Sequence, residues 1–600
     1  MLSYEPPVKE YMFLRDYVLP FHEVGDLPGF EALESDFMRA VIGEAGRVAA
    51  DIYLPLNAVG DKAGCVRNED GSVRTPPGYA EAYRKTVEAG WSGISAPEVY
   101  GGQNLPKSVS SAVVEFMGSA NIALDMYIGW GDSISTILCA VGTEDQRRKF
   151  LPPLIRGDWT AAMAMTEPHC GTDVGLIRTR AERAEDGSYR LYGTKIFISG
   201  GEHDLTSNIL HFVLARVKGA PSGTGGLSLF AVPKFPIEGE RTDSKATAKT
   251  GGFHCGAVEH KMGLNGSATC EIQYDGARGE LVGEEGRGLA GMFMLVNHIR
   301  RKVGILSVGI SELAYQNAAR YACERRQGRA SGARESKESA DLLIMHPDVK
   351  RVLFSIRSFS ESARALVLWT GLLIDVIERC PDEQRRKQAS KDLALLVPVV
   401  KAFLSDIALE NVISAQQLFG GHGYMAETGM EQLVRDIRML LIVEGANGIH
   451  GLDLVQRKIG PDGGVAIMAM IGRMRQDLQD LTDARGGAFR DQLANALDEW
   501  ESATQFIASL VREHPTAAAE KANDYLHLAG TVLLGCMWAW IGKVLRQAEA
   551  DGQMTQKEVD TKWRLMDFYR VTMLPKVQML RKRIEGPAVL EALNSDVFTY

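Results

Sequence analysis

Residues 188–199 read Ser-Tyr-Arg-Leu-Tyr-Gly-Thr-Lys-Ile-Phe-Ile-Ser, a stretch that shows strand-like alternation around a glycine. A period of two, together with β-branched and aromatic residues, predicts a β-strand. Short apolar runs bounded by Gly or Pro follow at 209–217 and 227–232, and another alternating run lies at 270–274. We therefore expect a β domain over residues 159–283.

Helix-like segments flank this β domain on both sides. Residues 1–158 predict an N-terminal helical domain, because apolar side chains recur at intervals of three and four residues. Long amphipathic stretches predict a helical bundle at 284–455, and residues 456–600 predict a further helical domain that contains no chemical motif. The expected fold is a multidomain α+β protein: a helical domain, a central β-barrel-like domain, a four-helix bundle and an extra helical domain.

The composition excludes several classes of protein. With 45% apolar and 24% charged residues, the chain is typical of a folded soluble protein, and 600 residues exceed one hydrophobic core. The net charge of -9 argues against a nucleic-acid partner, which would favour a basic surface. Residues 531–545 form the richest apolar stretch, but two glycines and a lysine interrupt it. They predict a buried helix, so membrane association is not expected.

The cysteines and the N-terminus bear on location. Eight cysteines are scattered without a Cys-x-x-Cys pair, which is typical of reduced thiols. The first residues contain acids and prolines where a signal peptide would have a basic and then an apolar region. We expect a cytoplasmic protein.

Five short segments carry the chemical information. They are Met165-Thr-Glu-Pro-His-Cys-Gly-Thr-Asp173, Gly193-Thr-Lys-Ile-Phe-Ile-Ser-Gly-Gly201, Lys261-Met-Gly-Leu-Asn-Gly-Ser-Ala-Thr-Cys270, Gln416-Gln-Leu-Phe-Gly-Gly-His-Gly-Tyr424, and Val434-Arg-Asp436 leading into Glu444-Gly-Ala-Asn447. In order and spacing they resemble the acyl-CoA dehydrogenase family over about residues 80–455. The N-terminal opening, the first segment and the C-terminal extension most resemble the branch containing 3-methylmercaptopropionyl-CoA dehydrogenase.

The resemblance implies a reaction, a cofactor and partners. It implies FAD-dependent α,β-dehydrogenation of an acyl-CoA thioester to the trans-2-enoyl-CoA, with electrons passed to an electron-transfer flavoprotein. The substrate implied is 3-methylmercaptopropionyl-CoA or a fatty acyl-CoA. A C-terminal extension of this length implies a homodimer. Such a reaction needs a base held close to the α-carbon, and donors at the thioester oxygen where charge develops.

Glu444 is the candidate base. It follows the apolar run 439–443 and precedes Gly445, so we expect burial to raise the pKa of its carboxyl group. By resemblance Glu444 is the catalytic base, and Glu444 and Gly445 bind the substrate. Residues 296–304, where some relatives carry their base, contain no carboxylate. The alternative interpretation is a glutamate that caps or pairs at a helix end.

The resemblance also implies a set of cofactor-binding residues. They are Met165, Thr166, Gly171, Thr172, Phe197, Ser199, Arg325, Gln417, Gly420 and Gly421. Phe197 and Ser199 are expected beside the flavin ring, and Arg325 at its pyrophosphate, with Arg326 as the alternative. The segment containing Gln417 is expected to reach the neighbouring subunit.

Purely structural interpretations remain for several of these positions. Phe197 is alternatively a core strand residue, Thr166 a turn former and Arg325 the solvated end of a helix. His169 and Cys170 lack a second pair of ligands nearby in the sequence, so no metal site is expected.

Three other functions fit parts of the pattern. An acyl-CoA oxidase shares the fold and the base but passes electrons to oxygen. A DNA-associated flavoprotein of the same fold would carry a basic C-terminal domain, whereas residues 461–600 hold 16 Lys and Arg against 19 Asp and Glu. A scaffold that keeps FAD only as a structural part is the third.

Overall fold

A computed structural model describes residues 2–19, 24–30, 33–237, 252–332 and 338–590, together with residues 593 and 597. The chain divides into two compact units. One comprises Met1–Gly46, Pro106–Ser119 and Arg300–Tyr600, and the other comprises Arg47–Leu105 and Ala120–Ile299. Glu444 belongs to the first unit, and the predicted flavin segments at 165–173 and 193–201 belong to the second.

Helices dominate the chain before residue 157. They span Val8–Phe13 with a π-helical continuation at Leu14–Val18, Ser35–Val48, a π-helical turn at Ala49–Tyr53, Leu54–Ala63, Tyr79–Glu88, Lys107–Ala120, Ile122–Asp125, Trp130–Val141 and Glu144–Arg156. A small hairpin of β1 (Val66–Arg67) and β2 (Val73–Arg74) interrupts them. Its turn is closed by Asp70, whose carboxylate accepts a 3.0 Å hydrogen bond from the Ser72 backbone N–H.

The β domain is a closed sheet. Its strands are β3 Trp159–Ala164, β4 Arg180–Arg183, β5 Tyr189–Ser199, β6 Asn208–Val217, β7 Leu227–Pro233, β8 Phe253–Val258 and β9 Thr269–Val282. The order β3-β6-β4-β5-β9-β7 returns on itself because β7 also pairs with β6, and β8 pairs with β9. The predicted barrel-like domain is confirmed.

Long helices follow the β domain, as predicted. They span Gly288–Glu324, Pro347–Arg379, Glu383–Pro398, Leu404–Leu418, Met430–Arg438, Asn447–Leu452, Val465–Gln479, Gly487–Glu513, Pro515–Ala550, Gln556–Thr572 and Lys576–Glu585. A π-helical segment, Val399–Phe403, joins two of them without a break. Another, Asp453–Ile459, continues Asn447–Leu452.

Pro515–Ala550 is the apolar helix singled out in the sequence. It is long and apolar enough to cross a membrane, with a mean hydropathy of 1.6 in its richest window, but 83% of that window is buried inside the protein. Burial of this kind is typical of a core helix. The prediction of a buried helix therefore fits the structure.

A buried ion-pair cluster fastens the extension to the rest of its unit. Lys562 Nζ lies 2.8 Å from both carboxylate oxygens of Glu10 and 2.9 Å from Glu361 Oε2. The side chains of Lys562 and Glu361 are almost fully buried. Because an unpaired buried charge is expensive, the three residues depend on one another.

Candidate active site

Glu444 lies in a tight turn that follows a buried helix. The helix Met430–Arg438 continues as a short 3-10 segment, Met439–Leu441, and the chain then turns. Glu444 and Gly445 both have left-handed backbone conformations, with φ of 56° and 90°. A non-glycine residue in this region is strained by about 1 kcal/mol or more and must be held there by its surroundings.

The backbone carbonyl groups of this turn are held by three side chains. The carbonyl oxygen of Glu444 accepts a hydrogen bond from Arg300 Nε at 3.2 Å and lies 3.2 Å from His450 Nε2. The carbonyl oxygen of Gly445 accepts a 2.8 Å hydrogen bond from the buried ammonium group of Lys401. These contacts fix the direction in which the Glu444 side chain leaves the backbone.

The carboxyl group of Glu444 is poised for proton transfer. The residue as a whole keeps some exposure, but its Oε2 atom is buried and has no hydrogen-bond partner among the described residues. Burial raises its pKa to about 7, against the opposing effect of the positive charges of Arg300 and Lys401. A carboxyl group with a pKa near the operating pH is an efficient general base.

The neighbours of Glu444 are also perturbed by burial. Burial lowers the pKa of Lys401 to about 8 and that of His450 to about 3. His450 is therefore neutral at pH 7, donates through Nε2 to the Glu444 carbonyl oxygen, and keeps a buried Nδ1 without a partner among the described residues. Lys401 remains largely protonated at pH 7, so the turn retains two positive charges close to the carboxyl group.

The sequence interpretation missed these supporting residues. Lys401 carried a signal, since it is a lone charge inside the apolar run 395–403. Arg300 lies in residues 296–304, whose only predictive feature was the lack of a carboxylate. His450 carried no local signal, because a single histidine after a helix start has many structural roles.

Two of the predicted flavin segments meet in the other unit. The Thr166 carbonyl oxygen accepts a 2.9 Å hydrogen bond from the backbone N–H of Ile196, and the Met165 carbonyl oxygen accepts one of 2.9 Å from Lys195 Nζ. Phe197 follows in β5, where the pairing with β9 slips between Lys195 and Ile198. The structure thus places the 165–166 backbone beside the strand that carries Phe197.

Phe197 has an unusual backbone conformation and an unusually exposed side chain. Its φ is 59°, in the left-handed region, and its side chain is 59% exposed although it is a large apolar group. The interpretation of Phe197 as a core strand residue is therefore wrong. Ser199, two positions on, is exposed as well, as are Gly171 and Thr172.

Glu167 ties this region together and was not predicted. Its carboxylate accepts hydrogen bonds from the backbone N–H groups of Arg178 and Thr179 at 2.8 and 2.9 Å, and lies 3.0 Å from the buried Lys195 Nζ. Burial raises the pKa of Glu167, but the Lys195 charge and these hydrogen bonds outweigh it and hold the pKa below its usual value. Glu167 and Lys195 therefore form a buried ion pair under the loop.

A cluster with metal-binding residue types also lies here. Ligand atoms of Glu167, His169 and Cys170 lie within 4.8 Å of one another. Both Glu167 oxygens already accept the hydrogen bonds described above, and His169 Nε2 lies 3.0 Å from the Leu176 carbonyl oxygen. These groups are committed to holding the loop.

The remaining predicted residues lie in the first unit. Arg325 is exposed, and its guanidinium group has no hydrogen bond or ion pair within the part of the chain that the structure describes, whereas Arg326 donates to the Ala340 carbonyl oxygen at 3.1 Å. Gln417 and Gly420 are exposed, as is the neighbouring Gly421. Of the two arginines, Arg325 is the one free to bind a phosphate.

The exposed groups fit the flavin that the resemblance implies. An aromatic side chain held open beside hydroxyl groups suits the face and edge of an isoalloxazine ring, and a free guanidinium group suits a pyrophosphate. The strained conformation of Phe197 has no packing purpose within its own unit, because the ring is mostly in solvent.

Four family descriptions match consecutive parts of the chain. Residues 67–158 match "Acyl-CoA dehydrogenase, N-terminal domain", residues 162–277 its middle domain, and residues 286–459 its C-terminal domain. Residues 470–590 match "Acetyl-CoA dehydrogenase C-terminal like".

Similar proteins cover nearly the whole chain. A 3-methylmercaptopropionyl-CoA dehydrogenase of Ruegeria pomeroyi is 36% identical over 539 residues, which is 89% of this chain and 90% of that protein. A broad-specificity linear acyl-CoA dehydrogenase of Mycobacterium tuberculosis is 34% identical over 83% of this chain and 81% of its own length. An acyl-CoA dehydrogenase of Bacillus anthracis, solved as a complex with FAD, superposes with a TM-score of 0.74 at 20% identity, covering 98% of this chain and 92% of that one.

Proposed function

This chain belongs to the acyl-CoA dehydrogenase family, and we propose that Glu444 is the base with which it removes the α-proton of its acyl-CoA substrate. The observation that carries the proposal is the buried, unpartnered Oε2 of a carboxyl group whose pKa is raised to about 7. A structural glutamate at a helix end would instead be expected to pair with a donor. Here the two nearby cations bind the backbone of the turn and leave Oε2 without a partner.

The turn also offers donors for the thioester carbonyl. The backbone N–H groups of Glu444 and Gly445 make no hydrogen bond within the described parts of the chain. Both residues have left-handed backbone conformations. We propose that the Glu444 N–H binds the thioester oxygen, which would stabilise the negative charge that develops as the α-proton leaves.

FAD is the cofactor of the proposed reaction, and when bound it accepts the hydride that leaves the β-carbon. Phe197 and Ser199 would flank its ring with Thr166 and Thr172, and Arg325 would bind its pyrophosphate. Glu444 keeps the proton, which is released after the trans-2-enoyl-CoA has formed. We further propose an electron-transfer flavoprotein as the acceptor of the electrons.

We propose 3-methylmercaptopropionyl-CoA as the substrate, with linear fatty acyl-CoAs as the competing class. The first rests on the Ruegeria relative, whose alignment spans nine-tenths of both chains. The second rests on the slightly less similar Mycobacterium relative. The two differ by a thioether sulfur in the acyl chain, so one assay can rank them.

The test is an anaerobic titration of the flavin-loaded protein. Adding 3-methylmercaptopropionyl-CoA is expected to bleach the flavin absorbance, and a series of saturated acyl-CoAs from short to long gives the competing rates. Glu444→Gln is expected to abolish bleaching, while Glu410→Gln, an exposed residue on the Leu404–Leu418 helix, is the matched control that keeps it. Bleaching of the Glu444→Gln protein at the wild-type rate would refute the role of the base.

The acceptor and the assembly have separate tests. An oxygen electrode distinguishes an oxidase, since rapid oxygen uptake with acyl-CoA alone would refute the flavoprotein acceptor. We propose a cytoplasmic homodimer in which the exposed segment around Gln417, Gly420 and Gly421 meets the FAD of the partner. Light scattering of the flavin-loaded protein is expected to give about twice the 65.6 kDa chain mass, and a monomer would refute the assembly.

A further inference from the structure

The C-terminal extension lies directly against the segment that carries the base. Its helix Pro515–Ala550 approaches the Asn447–Leu452 helix so closely that a Cβ atom at Gly451 would lie 3.0 Å from the Ala522 carbonyl oxygen. A Cβ atom at Gly530 would overlap the ring of Phe403. Glycine at both positions permits this approach, so backbone and ring meet without an intervening side chain.

A chain of hydrogen bonds crosses this contact. His527, on the extension helix, places Nε2 2.9 Å from Asp406 Oδ2. The other Asp406 oxygen accepts a 2.7 Å hydrogen bond from the Asn447 side-chain amide. Asn447 Oδ1 in turn accepts one of 2.7 Å from Lys401 Nζ, the same atom that binds the Gly445 carbonyl oxygen.

The side chains that form this series of hydrogen bonds are buried or mostly buried. Lys401 is fully buried and Asn447 nearly so, while Asp406 and His527 keep about a fifth of their side-chain exposure. The ring of Phe403 packs edge-on against His527, with centroids 5.4 Å apart, and limits how the imidazole can turn. The amide of Asn447 also donates to Ser405 Oγ at 2.9 Å, which leaves it a single favourable orientation.

We propose that His527 is a positioning residue: by fixing Asp406 it orients Asn447, and so the extension holds the turn of the catalytic base. The strained backbone at Glu444 supplies the physical reason. Such a conformation persists only where its surroundings determine it fully. The Lys401 ammonium group fixes the orientation of the Gly445 carbonyl group, and the Asn447 side chain fixes the position of the Lys401 ammonium group.

The inference rests on the proposed function and is tested on the flavin-loaded full chain. Anaerobic stopped-flow reduction by 3-methylmercaptopropionyl-CoA separates the limiting rate of reduction from the apparent dissociation constant. His527→Phe keeps a ring against Phe403 but removes the donor. We expect its limiting rate to fall by roughly tenfold to a hundredfold, as for a displaced reacting group, with little change in the dissociation constant.

Two matched variants separate this role from simple stability. His527→Gln places an amide nitrogen where Nε2 lies, and is expected to restore the limiting rate to within about twofold. His514→Phe makes the same change at the exposed start of the same helix and is expected to leave the rate unchanged. A His527→Phe protein as fast as wild type, or a His527→Gln protein as slow as His527→Phe, would overturn the proposal.

Asp406→Asn supplies a second route if His527→Phe does not yield folded protein. It keeps the size of a half-buried side chain and weakens both links, so the same loss of limiting rate is expected. Where both variants fold, the double variant should be no slower than the slower single one, because both act along one chain. A wild-type limiting rate for Asp406→Asn would contradict the positioning role. So would a double variant whose loss of limiting rate equals the product of the two single losses.

Glu444→Gln distinguishes the role of the base from the positioning role of the extension. If that variant is not reduced by the substrate while His527→Phe matches wild type, only the positioning role of the extension fails. If Glu444→Gln itself is reduced at the wild-type rate, the proposed base fails and the positioning role fails with it.

Discussion

The raised pKa of Glu444 predicts the acid side of the pH profile. A base must be ionised to accept a proton, so activity is lost as the pH falls through the pKa of the free enzyme. With a pKa of about 7, the ionised fraction of Glu444 rises from about 0.09 at pH 6 to about 0.91 at pH 8. We therefore expect kcat/KM to rise roughly tenfold over this interval.

The size of this change separates a buried base from an ordinary one. A carboxyl group with the usual pKa of about 4.5 would already be about 97% ionised at pH 6, and kcat/KM would then be nearly flat. Burial is the cause of the shift, while Arg300 and Lys401 limit it. The position of the acid limb of the pH profile therefore reports how strongly the Glu444 carboxyl group is desolvated.

The assay should avoid the pH dependence of an external acceptor. Anaerobic flavin reduction at low substrate concentration reports the second-order rate of the free enzyme, with 3-methylmercaptopropionyl-CoA as the reductant. A profile that is flat between about pH 5.5 and pH 8, with the flavin still bound, would refute the assignment of a raised pKa to the base.

Four further predictions concern individual side chains. Glu444→Gln should unfold at higher urea than wild type at pH 8 but not at pH 4. The stability linked to the raised Glu444 pKa is fully present below about pH 4.5 and is lost as the pH rises through about 7, by up to about 3 kcal/mol. Equal midpoints at pH 8 would contradict this. Lys401→Met removes a cation that lowers the Glu444 pKa, so the acid limb of kcat/KM should move to higher pH, and an unmoved limb would exclude that influence. Lys195→Met leaves Glu167 buried without its counter-charge and should cost about 3–5 kcal/mol in urea unfolding, with partial recovery in the double variant that also carries Glu167→Gln. Phe197→Ala should change the unfolding free energy of the flavin-free protein by less than about 0.5 kcal/mol, because the ring is largely exposed, yet should accelerate flavin loss on dialysis.

Local patterns predicted most of the secondary structure. The helical bundle expected at 284–455 begins with the helix Gly288–Glu324, and the strand expected over 188–199 forms at Tyr189–Ser199. The alternating run at 270–274 is only part of β9, which extends to Val282. Strand β3 was not recognised because its sequence, Trp-Thr-Ala-Ala-Met-Ala, is buried on nearly every side and has no alternation.

The site could be predicted only where its residues share a segment. Glu444 was proposed as the base from its resemblance to a family motif, and the apolar run before it and the glycine after it gave the reason to expect a raised pKa. The contact between Asp406 and His527 joins positions 121 residues apart, and that between Arg300 and Glu444 joins positions 144 apart. No local periodicity encodes such pairs, since tertiary packing alone brings them together.

The buried trio of Lys562, Glu10 and Glu361 has a consequence for biosynthesis. A ribosome makes Glu10 more than five hundred residues before Lys562. Until Lys562 emerges, Glu10 lacks the ammonium group with which it pairs, and Glu361 has only its 2.7 Å contact with Arg357. The helix Val8–Phe13 of the nascent chain should therefore remain loosely docked while the residues before Lys562 are made, and should become protected from proteolysis only after Lys562 has emerged.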